Sequence, residues 1–241
     1  MEMMDITAIT PDQVMLWRGE WFTLNATIFY TWLIMLLLTL VSWAVTRRLS
    51  SGGRISRWQN FLEVVVGAIR SQIREASGQD PDPYIPFIGT LFLFIVVANV
   101  LSVVPGFLPP TGSLSTTTAL AICVFVAVPL YGVSRQGLSG YLSNYIHPTI
   151  LMLPFNILGE LSRTLALAVR LFGNVMSGSK IAAILLAITP LFFPLVVQVL
   201  GLLTGLIQAY IFAVLAMVYI ASATRVHSER AQNIHESQSP Y

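Results

Sequence analysis

Across residues 150–223 the sequence carries only four charged side chains, Glu160, Arg163, Arg170 and Lys180. So long an apolar stretch has to be membrane-embedded, since an upright helix needs only roughly 20 residues to cross a bilayer. Composition agrees. Of 241 residues, 55% are hydrophobic and 10% charged, with mean hydropathy +0.74. That profile belongs to polytopic membrane proteins rather than soluble domains. The formal charge of +2 is too small to suggest a nucleic-acid partner. A single cysteine, Cys123, excludes an intrachain disulfide and a cysteine metal site.

Five hydrophobic blocks follow from the pattern, giving an all-α polytopic membrane fold read as a single membrane domain over residues 1–241. The first span covers residues 25–45 and is closed by Arg47 and Arg48. Residues 50–82 are polar, yet Phe61, Leu62, Val65, Val66, Ile69 and Ile73 recur at helical spacing, which predicts an amphipathic helix lying on the membrane surface. The second and third spans lie within residues 86–133, joined by the turn-rich PGFLPP. Arg135 and the glycine- and serine-rich GLSGYLSNY end the third. The fourth and fifth blocks, residues 150–188 and 191–223, are split by Pro190 and Pro194, and residues 224–241 form a polar tail expected to be disordered at its end.

Six arginines fall in the loop after the first span and one, Arg18, before it, so that loop is expected in the cytoplasm and the N-terminus outside. Five crossings then put the tail, with Arg225 and Arg230, in the cytoplasm. The opening MEMMDITAITPDQ has no basic n-region and does not read as a cleavable signal peptide. The fourth block of 39 residues would measure roughly 58 Å as one helix, nearly twice the hydrocarbon thickness. No proline lies between Pro154 and Pro190 to break it, so steep tilt is expected, the last two helices forming a long inclined hairpin.

Within that block Asn156, Glu160, Arg163, Leu167, Arg170, Asn174 and Ser177 repeat at spacings of 4 and 3, along one helical face. Glu160 is the only carboxylate between Asp82 and Glu229, and Lys180 the only lysine in the chain. Glu160 and Arg163 stand at i,i+3, where an ion pair would let each neutralise the other. Arg170 has no acid within a turn, and Glu160 is about 15 Å away along the axis. An arginine at mid-membrane costs roughly 2.5 to 3.5 kcal/mol and belongs beside a partner, water or an ion path. Asn174, one turn on, can hydrogen-bond beside the guanidinium. Gly173 and Gly178 make a small-residue surface that another helix can approach, with packing against the fifth block the simpler reading for Gly178. In the fifth block Gln198, Thr204, Gln208 and Tyr219 are polar, Gly201 and Gly205 lie at small-xxx-small spacing, and Gln208 is expected to face Arg170.

Three segments, SRTLALAVRLFGNVMSG, ANVLSVVPGFLPPTGSLSTTTALA and GLIQAYIFAVLAMVYIASA, together resemble the a subunit of F-type ATP synthases across residues 25–223. The resemblance implies a non-catalytic stator subunit with two ion half-channels and Arg170 as the essential arginine beside a rotating c-subunit ring. Its implied partners are that ring, the b-subunit peripheral stalk, the soluble ATPase head, membrane lipid and the transported H+ or Na+. Its implied location is the bacterial inner membrane. The chain departs from the family pattern at Asn156, where many members carry an acid, at Ser179, where many have Glu or His, and at Gly201, where many have an ionisable group. Glu160 is then expected to serve as the half-channel carboxylate, with Ser177, Ser179 and Lys180 lining the outer path. Loss of titratable relays also raises Na+ as the transported ion, and the GELSRTLALAVRLFGN run is similar to an alternate, sodium-associated variant of the family.

Two other classes are weighed against this. A stand-alone secondary transporter would show inverted repeats, which five unequal spans do not. A membrane anchor would leave Arg170 unexplained. The chain has no G-x-x-x-x-G-K-[ST] loop, so nucleotide chemistry belongs elsewhere, and His147, His227 and His235 are too scattered to suggest a metal site. No cofactor is expected.

Overall fold

A computed structural model of the protein describes residues 12, 15–18, 23–47, 57–78, 80–104, 106–146, 152–188 and 192–237. Six helices dominate: α1 (Ala26–Thr46), α2 (Arg57–Ser77), α3 (Ile85–Leu101), α4 (Leu114–Ile146), α5 (Met152–Ile188) and α6 (Phe192–Ser237). Ahead of them a small antiparallel hairpin pairs β1 (Met15–Arg18) with β2 (Thr23–Asn25), an element the hydrophobic pattern does not announce. The fold is that of an all-α polytopic membrane protein. Among the described residues four helices are long and apolar enough to cross a bilayer, and α3, of 17 residues, is a shorter apolar helix of about 26 Å.

Helix α5 runs unbroken for 37 residues, about 56 Å, as the absence of an internal proline predicts. It packs against α4 and α6, and a one-turn 3-10 segment, Pro110–Gly112, tucks in among α1, α3, α4 and α5. Two expectations are corrected. The stretch after Arg135 is not a glycine-serine link: α4 bends at Gly137, whose φ of 73° suits a residue without Cβ, and then resumes to Ile146. Helix α6 likewise continues past Ala223 to Ser237, because nothing between them breaks a helix; residues 238–241 and His147 lie outside the described residues.

The core sits where α3, α4, α5 and α6 meet, around Ile95, Ala98, Val124, Leu167, Leu171, Phe212 and Ile220, all fully buried. Alanines at 209, 213 and 216 let α6 lie close to its neighbours. Helix α2 is amphipathic as expected, but it is not simply afloat on lipid. Ile73 is buried, and the Tyr210 hydroxyl of α6 donates to Gln72 Oε1 at 2.6 Å. Between α2, α3 and α6 runs an apolar groove of about 450 Å³ lined by Val65, Ile69, Phe92 and Met217 among others. Elsewhere the Asp12 carboxylate accepts hydrogen bonds from Thr27 of α1 (2.7 Å) and from Ser113 (2.5 Å), the residue that precedes α4.

Candidate functional site

The polar stripe of α5 does not lie on a single exposed face. Seven residues turn a helix about 20° short of two full turns, so a strict 4-3 repeat creeps around a straight helix. The buried side of α5 is marked by Thr164, Leu167, Ala168 and Leu171. Leu167 of the stripe is on that side, Glu160 and Asn174 are half-buried at its edge, and Asn156, Arg163, Arg170 and Ser177 are exposed. Ser179 and Lys180, off the stripe, are exposed as well.

Arg170 is exposed, and no hydrogen bond or salt bridge reaches it among the described residues; the ion pair that they do contain joins Arg70 of α2 to Asp82. Beside it on the open side of α5 are Ser162, Ala166, Gly173 and Ser177, all small and exposed. A Cβ at Gly173 would meet nothing within 4 Å, so the chain's own packing does not require glycine there. The same is true of Gly178, which corrects its reading as a packing contact with α6. At Gly205 the space is used: the Asn99 side chain of α3 donates to the Gly205 carbonyl at 3.0 Å.

The expected ion pair between Glu160 and Arg163 is absent among the described residues. Arg163 instead places its guanidinium over the Tyr219 ring of α6, 5.7 Å from the centroid. Such contacts contribute about 0.5–1 kcal/mol when exposed and more when desolvated. Glu160 keeps its Oε1 sealed from solvent, and its backbone carbonyl accepts from Thr164.

The Arg163–Tyr219 contact also gives a reference level for the two helices. Eleven residues are close to three helical turns. Counting eleven forward from Arg163 gives Asn174, and eleven back from Tyr219 gives Gln208. By that count Asn174 and Gln208 belong to about the same level of the antiparallel pair, one turn beyond Arg170. Gln208 is 6% exposed, and its Nε2 has no hydrogen-bond partner among the described residues. An unmet buried donor costs about 1–3 kcal/mol. Gln208 is buried in α6, while Arg170 stands exposed on α5. The hydroxyls of Ser177 and Ser179 donate to the carbonyls of Asn174 and Val175, which leaves their oxygen lone pairs free to accept.

Sequence reasoning gave Tyr219 no role and did not single out Asn99. Both are uncharged residues whose importance lies in what another helix brings to them.

The model of the ATP synthase A chain family matches residues 28–221. ATP synthase subunit a 2 of Acaryochloris marina is 61% identical over 228 residues, covering 95% of this chain and 97% of that one. ATP synthase subunit a of Albidiferax ferrireducens is 59% identical over 217 residues, covering 90% and 94%. ATP synthase subunit a 1 of Chlorobaculum parvum is 59% identical over 221 residues, covering 92% and 98%.

Proposed function

The chain belongs to the ATP synthase A chain family, and on that premise we propose that Arg170 couples cation flow across the membrane to rotation of a ring of c subunits. As a non-catalytic, multi-pass membrane subunit of the rotary complex, it leaves ATP chemistry to partner chains. Membership displaces the stand-alone transporter and simple-anchor readings. The single observation behind the proposal is a guanidinium exposed on α5 with no partner among the described residues.

Each c subunit would bring a mid-membrane carboxylate to Arg170 in turn. At 4 Å and an effective dielectric of 20 two unit charges attract by about 4 kcal/mol, enough to favour the deprotonated acid and to repel a cation attempting a direct passage. A guanidinium suits that task because it never releases its proton. Ser162, Ala166, Gly173 and Ser177 would let the ring helix lie close to α5. Asn174 and the unmet Gln208 Nε2 offer hydrogen bonds one turn away on the outer side. Glu160, sealed yet polar, is the half-channel carboxylate towards the cytoplasm, while Ser177, Ser179 and Lys180 line the outer approach; Asn156 lies on the inner continuation of the stripe.

A helix of 37 residues leans steeply in the bilayer, with α6, around the ring. The arginine-rich loop supports an N-terminus outside and a C-terminus in the cytoplasm of a bacterial inner membrane. The peripheral stalk would hold the subunit still against the turning ring. The transported ion is H+ or Na+; the absence of acids or histidines at Asn156, Ser179 and Gly201 favours Na+.

The test is Arg170→Ala in the intact complex reconstituted in vesicles. ATP synthesis driven by an ion gradient falls to the background of vesicles without enzyme, while the ring and head still copurify. Synthesis that survives removes the proposal. Repeating the wild-type assay with and without Na+ at fixed pH separates the two ions.

A further inference from the structure

Arg163 and Arg170 are both exposed on α5 and stand seven residues apart, about 10 Å along the helix and within about 20° of one face. Neither makes an ion pair among the described residues. Arg163 is nevertheless held: its guanidinium carbon lies 5.7 Å from the centroid of the Tyr219 ring, which is half-buried in α6. A ring face attracts a cation through its quadrupole and, unlike a carboxylate, leaves the charge uncancelled. The lean of α5 decides where that second charge falls. A helix of 37 residues, about 56 Å long, fitted into about 30 Å of hydrocarbon advances about 6 Å in depth and about 9 Å sideways over seven residues. Packed helices stand about 8–10 Å apart, so the sideways step matches the spacing between neighbouring helices of a ring.

We propose that Arg163 is a second charged station on the path of the c ring: while one ring carboxylate faces Arg170, the next comes within the field of Arg163 on the cytoplasmic side. This rests on the reading of Arg170 as the charge that ring carboxylates meet. The long arginine stem spans the difference in depth between the two stations. A fixed cation favours the ionised form of a nearby acid and weakens its hold on a bound cation. In the direction of synthesis Arg163 therefore promotes release of the ion to the cytoplasm before each carboxylate reaches Arg170. Tyr219 is the positioning residue, restraining the guanidinium against α6 while its charge stays in force.

The experiment measures ATP-driven ion uptake by the complete complex, reconstituted with its soluble head outside the vesicle, and separates the maximum rate from the ion concentration that half-saturates it. The probe is Na+ at fixed pH, or H+ without Na+ where wild type pumps without it. Arg163→Gln is expected to lower the half-saturating concentration about tenfold, the order that a unit charge about 10 Å away sets at an effective dielectric of 20. Arg163→Lys keeps the charge and stays near wild type. Tyr219→Phe keeps the ring face and matches wild type, whereas Tyr219→Leu shifts the value about threefold in the same direction as Arg163→Gln. Where Arg163→Gln does not copurify with the ring, Arg163→Met takes its place. An unchanged half-saturating concentration in the uncharged variant, whatever its maximum rate, or equal shifts in Arg163→Lys and Arg163→Gln, overturns the proposal. No shift in Tyr219→Leu overturns the part given to the ring face. Arg170→Ala separates the two failures: uptake surviving there sinks the motor reading itself, whereas a null result at Arg163 leaves that reading standing.

Discussion

The Asn99 side chain donates to the Gly205 carbonyl at 3.0 Å, and a methyl group added at Gly205 would lie 2.9 Å from Asn99 Cγ. The two residues lock α3 onto α6 one turn from Gln208. Gly205→Ala is expected to destabilise the subunit by about 1–3 kcal/mol, the usual cost of overpacking. Asn99→Ala in the same chain should recover part of that by vacating the space. Denaturant or thermal dissociation of the purified complex reads the effect, and an unchanged midpoint for Gly205→Ala contradicts the close approach.

Gly173 makes the opposite prediction. A side chain there meets nothing of this protein within 4 Å, so Gly173→Leu should insert and fold normally. If the small strip of α5 is where a ring helix lies, the same substitution blocks that approach. Wild-type levels of membrane-inserted subunit with loss of copurifying c ring are expected. Full assembly and full ATP synthesis in Gly173→Leu would show that the strip faces lipid.

Glu160→Gln keeps the shape and hydrogen-bonding reach of the side chain and removes its charge. Ion uptake driven by ATP is expected to fall roughly tenfold, equivalent to about 1.4 kcal/mol in the barrier for passage. Unchanged uptake rejects Glu160 as the half-channel carboxylate.

The hydroxyl of Tyr210 anchors α2 through Gln72 Oε1 at 2.6 Å. Tyr210→Phe should cost about 0.5–1.5 kcal/mol, the net worth of one such bond. Because it lies outside the α5 stripe, coupling should persist while amide hydrogen exchange across Arg57–Ser77 speeds up. Protection identical to wild type would mean that α2 is held by its apolar face alone.

The primary sequence sets the number and order of apolar helices, the amphipathic α2 and the unbroken length of α5. Each is set by local composition: a run of apolar residues without proline has one low-energy conformation in lipid. It also determined which charges stand out, since Arg170 and Glu160 are conspicuous by scarcity alone. The tertiary structure decided what those charges face. A 4-3 repeat drifts around a straight helix, so one stripe came to hold buried Leu167 and exposed Arg170 together. The partner of Arg163 was settled in the same way. Spacing along α5 nominated Glu160, but packing against α6 supplied the Tyr219 ring, a choice that no pattern within one helix encodes. Likewise only the approach of α3 separated Gly205, where glycine is needed by this chain, from Gly173, where it is not. Helical periodicity reports the direction of a side chain, whereas the group it meets depends on residues more than a hundred positions away, as from Asn99 to Gly205.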